Sequence, residues 1–98
     1  MSRREYDIKP ININGRIVSR VVIDEHVRKH PDISDVLILE LVAKLDGSRQ
    51  LADEAKVSFE YFATLVQMGE KQYRVVWLLE EKQIYIGIIT VYRDDRSQ

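Results

Sequence analysis

The residues best suited to catalysis fall into two groups that lie far apart in the sequence. His26 and His30 are four positions apart, so a helix would place both imidazoles on one face. Arg74 lies near the start of one apolar stretch, and residues 90–93, Thr-Val-Tyr-Arg, end the next. Imidazoles exchange protons near neutral pH, and an arginine beside hydroxyl donors suits a phosphate group. Together the two groups predict chemistry on a phosphate ester.

These residue types are the ones that a metal-independent ribonuclease needs. A base removes the proton of the ribose 2′-hydroxyl, an acid protonates the leaving 5′-oxygen, and a cation stabilises the charge on the phosphoryl oxygens. A simpler interpretation assigns neither group a catalytic role. The two histidines would lie at the end of a surface helix. The polar residues would form a rim where the strands reach water, and they are Arg74, Thr90, Tyr92 and Arg93. The histidine spacing also permits joint metal binding, but no HExxH motif or further ligand set accompanies it.

Two long strands must position the second group. Residues 73–93 concentrate β-branched and aromatic side chains and contain a polar turn at residues 80–83. Apolar residues at successive positions predict strands that are covered on both faces, at the centre of a sheet. Antiparallel pairing across the turn would bring Arg74 to the same end of the sheet as Thr90 and Tyr92.

A hairpin is predicted near the start of the chain, with strands at about residues 7–13 and 16–23. Asn14-Gly15 lies between the two apolar runs, and both residues tolerate the positive φ angles of a type I′ turn. Pro10 cannot donate a ladder hydrogen bond, so we expect the first strand at an edge of the sheet.

Two helices are predicted after this hairpin. The first covers Asp24–His30 and ends at a proline. The second begins at Asp32 or Ser34, continues to about Leu45 and has Gly47 in its stop position. The apolar residues of the second helix leave only a narrow polar stripe, which predicts a largely buried helix against the sheet.

The rest of the chain predicts a three-stranded meander. Residues 46–56 have the composition of a loop, with one helical turn at residues 51–55 as an option. Residues 57–67 alternate in hydrophobicity, which favours a strand, although some of their large apolar residues also fit helical spacing. The pattern β-β-α-α-β-β-β predicts an α+β fold, in which an antiparallel sheet carries two helices on one face.

Composition narrows the functional classes. The 98 residues suit a single domain, 1–98, with loose ends at 1–5 and 94–98. The chain has no cysteine, no signal peptide and no apolar run of about 20 residues, so we expect a cytoplasmic protein without a membrane partner. No GxGxxG or P-loop motif occurs, and we predict no cofactor. The net charge of −1 lacks the basic excess of a dedicated nucleic-acid binder.

The order of elements, the HVRKHPDI sequence and the YIGIITVYR ending resemble the small bacterial toxin ribonucleases of the barnase, EndoU, colicin and RelE superfamily. The resemblance covers about residues 24–93. It implies that His26 or His30 is the general base or acid, that the phosphate clamps are Arg74 and Arg93, and that the hydroxyl donors are Thr90 and Tyr92. The slightly acidic balance and the additional hairpin at residues 7–23 depart from that family.

These observations lead to two classes of function. The first is a cytosolic RNA-cleaving protein, neutralised by a partner protein that binds its exposed edge or its basic face. The second is a non-catalytic interaction module, such as an antitoxin, an immunity protein or a subunit, that pairs through the edge strand of the hairpin. The acidic balance favours the second class, whereas clustering of His, Arg, Thr and Tyr would favour the first. A homodimer without enzymatic role is a third interpretation, and the sequence leaves the oligomeric state open.

Overall fold

Strands account for most of the protein. The computed structural model describes residues 3–25 and 32–95, of which 57% lie in strands. The strands are β1 (Arg4–Ile13), β2 (Arg16–Ile23), β3 (Glu54–Lys56), β4 (Phe59–Met68), β5 (Lys71–Glu80) and β6 (Tyr85–Arg93). One α-helix is present in the described ranges, α1 (Asp35–Ala43), between β2 and β3. No helix of the described part is long and apolar enough to cross a membrane.

All six strands belong to one curled sheet with the order β1-β2-β6-β5-β4-β3. Neighbouring strands are antiparallel, except that β2 and β6 are parallel. The sheet therefore joins an N-terminal hairpin and a C-terminal meander side by side. The helix α1 packs on one face, which we call the helix face, and the opposite side is the outer face.

The predicted fold class, an α+β antiparallel sheet with two helices on one face, is wrong. The sheet is mixed, because β2 joins β6 in parallel, and the described residues contain a single short helix. The predicted helix at Asp24–His30 lies mostly outside the described residues. The hairpin and the meander each have local sequence signals, whereas parallel pairing between distant segments has none.

The predicted turns and strands on either side of the helix are confirmed. Asn14 and Gly15 have φ angles of 54° and 76°, as a type I′ turn requires. Gly69, with φ 65°, makes the tight turn between β4 and β5. Because β4 is a strand, the helical alternative for residues 57–67 is wrong. The loop predicted at residues 46–56 contains β3, which pairs antiparallel with β4.

Both edges of the sheet are poor templates for pairing with another chain. β1 lies at one edge, as Pro10 predicted, and its register with β2 shifts between Asp7 and Ile11. β3, at the other edge, has only 3 residues, and all of them are exposed. Short, irregular or proline-containing edges resist the addition of a further strand.

Local sequence sets the limits of α1. The Ser34 side chain accepts a hydrogen bond from a backbone N–H of the first turn at 3.1 Å. Gly47 follows the helix with φ 84°, a conformation that favours glycine. Only one side of the helix is buried, through Ile38, Leu41 and Val42. Val36 on the other side is 67% exposed, so the prediction of a largely buried helix is wrong.

Trp77 is the centre of the core between the sheet and α1. Its side chain is fully buried, as predicted, and stacks on Phe62 with ring centroids 4.1 Å apart. From Tyr73 to Leu79 the helix-face residues of β5 are buried, whereas the alternate residues are half-buried. The prediction that β5 is covered on both faces is therefore wrong, because the single helix covers one face only.

Candidate functional site

The second group of predicted site residues gathers where β5 begins and β6 ends, which we call the upper end of the sheet. Arg74 lies directly opposite Tyr92, and Val76 lies directly opposite Thr90, as the predicted antiparallel pairing requires. Directly opposite residues project from the same face of a sheet. Arg74, Thr90 and Tyr92 therefore share the outer face. Arg93 belongs to the other row of side chains.

Two aspartates that follow β6 hold the two arginines. The Arg74 Nε atom lies 3.0 Å from Oδ2 of Asp94, whose side chain is only 3% exposed. The Arg93 Nε atom lies 2.8 Å from Oδ2 of Asp95, and that pair is more exposed. Each predicted phosphate clamp is thus paired with a carboxylate of its own chain. The terminal nitrogens of Arg74 make no hydrogen bond within the described ranges and can still form a donor fork.

Backbone hydrogen bonds fix the position of these aspartates. The Asp94 N–H donates to the Gln72 carbonyl at 2.8 Å, and the Gln72 N–H donates to Oδ1 of Asp95 at 3.1 Å. The Gln72 side-chain amide also donates to the Asp94 carbonyl at 3.1 Å. Asp94 and Asp95, in the stretch predicted as a loose end, therefore continue alongside β5 and hold the arginines in a defined position.

His26 and His30 lie outside the described residues, but both chain ends that flank them are placed. The Asp24 N–H donates to the Ile88 carbonyl at 3.0 Å, so the chain leaves β2 beside β6 and runs toward the upper end. The chain is described again from Asp32, just before α1. Ile88 lies opposite Trp77 in the middle of β5, so the chain leaves β2 three residues below the level of Arg74.

A cluster of Arg4, Tyr6 and Asp35 ties the start of α1 to β1. Asp35 accepts hydrogen bonds from Arg4 Nε at 2.7 Å and Nη2 at 2.8 Å, and from the Tyr6 hydroxyl. These hydrogen bonds to Asp35 raise the pKa of both Arg4 and Tyr6. The sequence did not reveal this cluster, because its residues meet only after β1 and the helix have packed. Arg4 pairs with Ile23, which in turn pairs with Ile88, so the cluster holds the helix start at the level of the middle of β6.

A second polar network lies on the helix face. The Trp77 indole N–H donates to Thr64 Oγ1 at 3.0 Å, and the Thr64 hydroxyl donates to Gln50 Oε1 at 2.5 Å. Gln50 also exchanges two hydrogen bonds with Asn14 in the first turn. A buried tryptophan needs a partner for its N–H, which was the only signal for this network in the sequence. Its partners are neutral, so the network joins a loop to the core and offers no acid or base.

The described part of the upper end supplies binding groups. Arg74 can hold an anion, and Thr90 and Tyr92 place hydroxyl groups beside it. Within residues 3–25 and 32–95, no group of three or more His, Asp or Glu side chains could hold a metal ion. The groups predicted to move protons belong to the segment between Glu25 and Asp32.

Comparison with protein-family models, with curated proteins and with solved structures found no match. The arrangement of side chains is therefore the basis for inferring function. It brings Arg74, Thr90 and Tyr92 together on one face of the sheet.

Proposed function

We propose that the protein is a cytoplasmic, metal-independent ribonuclease of toxin-like type, with its active site at the upper end of the sheet. The observation that carries this proposal is the register of β5 and β6, which sets Arg74 opposite Tyr92 with Thr90 on the same face. The direction of β2 supports it, because β2 runs parallel to β6 and the chain leaves it beside Ile88, heading toward the end of the sheet that holds Arg74.

In the proposed reaction, the ribose 2′-oxygen attacks the adjacent phosphorus and the bond from phosphorus to the 5′-oxygen breaks. One histidine of the pair His26 and His30 takes the proton of the 2′-hydroxyl, and the other gives a proton to the leaving 5′-oxygen. The products are a 2′,3′-cyclic phosphate and a free 5′-hydroxyl. The terminal nitrogens of Arg74 bind the phosphoryl oxygens, where negative charge develops.

The carboxylates beside the arginines limit how strongly RNA binds. Asp94 and Asp95 offset much of the positive charge of Arg74 and Arg93, and the whole chain has a net charge of −1. RNA affinity driven by phosphate contacts should therefore be weak and should fall further as salt is added. In this site Asp94 orients the Arg74 guanidinium by holding its Nε atom.

The test is cleavage of labelled RNA by the purified protein in EDTA, followed by analysis of the new ends. We expect cleavage that leaves a 2′,3′-cyclic phosphate and that stops when the nucleotide at the cut carries no 2′-hydroxyl. His26→Ala, His30→Ala and Arg74→Ala should each lower the rate by about 100-fold or more. Arg20 lies on β2 and projects from the same outer face of the sheet as Arg74, so Arg20→Ala serves as the matched control.

Equal rates in the three variants and in the Arg20→Ala control would reject the residue assignments. A protein that cuts no RNA would reject the proposal and favour the non-catalytic interaction module. Pairing through an edge strand, the form of that module predicted from the sequence, has little support, because β1 is irregular and β3 is short.

A further inference from the structure

The lower half of the outer face, away from Arg74, carries an apolar patch. We define this patch as Phe59, Tyr61, Leu78 and Tyr85, four half-buried residues on three neighbouring strands. The register places Tyr61 opposite Leu78, and Leu78 opposite Gly87. Side chains of this type are normally covered, yet the helix α1 packs on the other face of the sheet.

The patch has a concave centre. Gly87 has no side chain, and a Cβ atom there would lie 2.9 Å from Cδ1 of Leu78, so Leu78 rests directly on the backbone of β6. A shallow depression of about 180 Å³ surrounds this point, with Phe59 and Tyr85 among its lining residues. A small apolar side chain from another molecule would fit this depression.

Charge around the patch is balanced on both sides. On the β1 side, Arg20 lies 3.8 Å from Glu5 and 3.1 Å from Asp7, and Arg3 lies 3.9 Å from Glu5. On the β3 side, Lys56 lies 3.6 Å from Glu54. A border with both signs attracts neither a polyanion nor a polycation, whereas it can exchange ion pairs with an identical border. The net charge of −1 gives little repulsion between two copies, and near-neutral proteins associate readily.

We propose that a second copy of this chain docks on the apolar patch, so that two outer faces pack together about a two-fold axis. A two-fold interface places the same patch on both subunits. The proposal is independent of the ribonuclease proposal, because the patch lies at the opposite end of the face from Arg74, Thr90 and Tyr92.

The size of the patch determines the expected affinity between the two copies. Across three strands and about five residues, ordinary sheet spacings give a footprint of roughly 240 Å² per copy. Stable interfaces bury about 800 Å² per partner, so even with the charged border this dimer should be weak and reversible. We expect a dissociation constant on the order of 100 µM.

Sedimentation equilibrium of the full chain from about 10 µM to 1 mM tests this proposal. The weight-average mass should rise from that of a monomer toward that of a dimer. Tyr61→Glu and Leu78→Glu should each raise the dissociation constant at least tenfold, while the far-ultraviolet circular dichroism stays unchanged. Val36→Glu, which adds the same charge at an exposed apolar site on α1, is the matched control and should dimerise normally.

Concentration-dependent NMR shifts provide a second measurement that needs no variant. The backbone amides of β4, β5 and β6 around the patch should shift as the wild-type protein is concentrated, and those of α1 should not. A chain that is monomeric at 1 mM overturns the proposal and leaves the patch to a different protein. Dimers that persist in both glutamate variants, or shifts centred on another surface, also overturn it.

Discussion

Apolar side chains on the two faces of the sheet differ in how completely they are buried. Trp77 on the helix face is fully buried, whereas its neighbour Leu78 on the outer face is only half-buried. Both belong to one apolar run in β5, so the difference arises from the cover that α1 gives to a single face. Hydrophobic composition therefore shows that a strand is central, but the number of covering elements decides which side chains form the core.

The largest effect should come from shortening adjacent side chains on the two faces. Trp77→Ala removes the stacked ring beside Phe62 and leaves a cavity, so the free energy of unfolding should fall by about 3–5 kcal/mol. Leu78→Ala, one position along the strand, should cost only about 1 kcal/mol, because the side chain is partly in water already. Urea denaturation of both variants measures the difference.

Equal losses of unfolding free energy in Trp77→Ala and Leu78→Ala would contradict the proposed difference between the two faces. They would show that Leu78 is as well covered in solution as Trp77. Repeating the Leu78→Ala denaturation at several protein concentrations would then show why. If a second copy covers the outer face, the loss of unfolding free energy should grow with protein concentration, because Leu78 is buried by that copy only at high concentration.

An intermediate effect is expected for two neighbouring carboxylates at the upper end. Asp94→Asn keeps the shape but removes the charge that faces Arg74, and the Asp94 side chain is 3% exposed, so the loss should be about 2 kcal/mol. Asp95→Asn changes a pair whose carboxylate side chain is 39% exposed and should cost less than about 0.5 kcal/mol. Thermal unfolding of the two variants at equal ionic strength measures both losses of stability. Because the chemical change is the same, the difference between them reports the effect of burial.

A last effect, which is absent at neutral pH, is a dependence of stability on pH through Tyr85 of the apolar patch. Burial, together with a hydrogen bond from its hydroxyl to Glu80 Oε1 at 2.5 Å, raises the pKa of Tyr85 to about 12. The folded protein holds this proton more tightly than the unfolded chain, whose tyrosines have a pKa near 10. The resulting stabilisation is present below pH 10 and is lost as the pH rises from 10 to 12.

Absorbance at 295 nm during a pH titration checks this assignment. One tyrosine should ionise near pH 12 in the wild-type protein, and that step should be missing in Tyr85→Phe. A titration in which Tyr85 ionises near pH 10 would show that its hydroxyl is as well solvated as in the unfolded chain, and would contradict this prediction.

Elements with local signals were predictable from the sequence. The Asn14-Gly15 turn, the Ser34 cap and the run of strands from residue 59 onward follow from residue types and short spacings. The same holds for the approach of Arg74 to Tyr92, because a hairpin turn determines its own register.

Features that depend on distant segments were not predictable. β3 consists of Glu-Ala-Lys, which has low strand preference, and it exists because it pairs with β4. The ion pair between Arg74 and Asp94 and the contact between Arg4 and Asp35 likewise require residues that only the folded chain brings together. The predicted approach of Arg74 to Tyr92 is therefore confirmed, whereas the carboxylate partners of the two arginines were missed.

The parallel pairing of β2 with β6 has a consequence for how the protein folds. Val22 pairs with Gly87, 65 positions further along the chain, so this pairing closes a long loop at a cost in entropy. The hairpin and the meander can each form quickly, because their contacts join residues that are close in sequence. We expect the pairing between them to be slow, as in other proteins rich in long-range contacts. During synthesis the edge of β2 that pairs with β6 stays unpaired until β6 has been made, so we expect the growing chain to be most prone to aggregate in that interval.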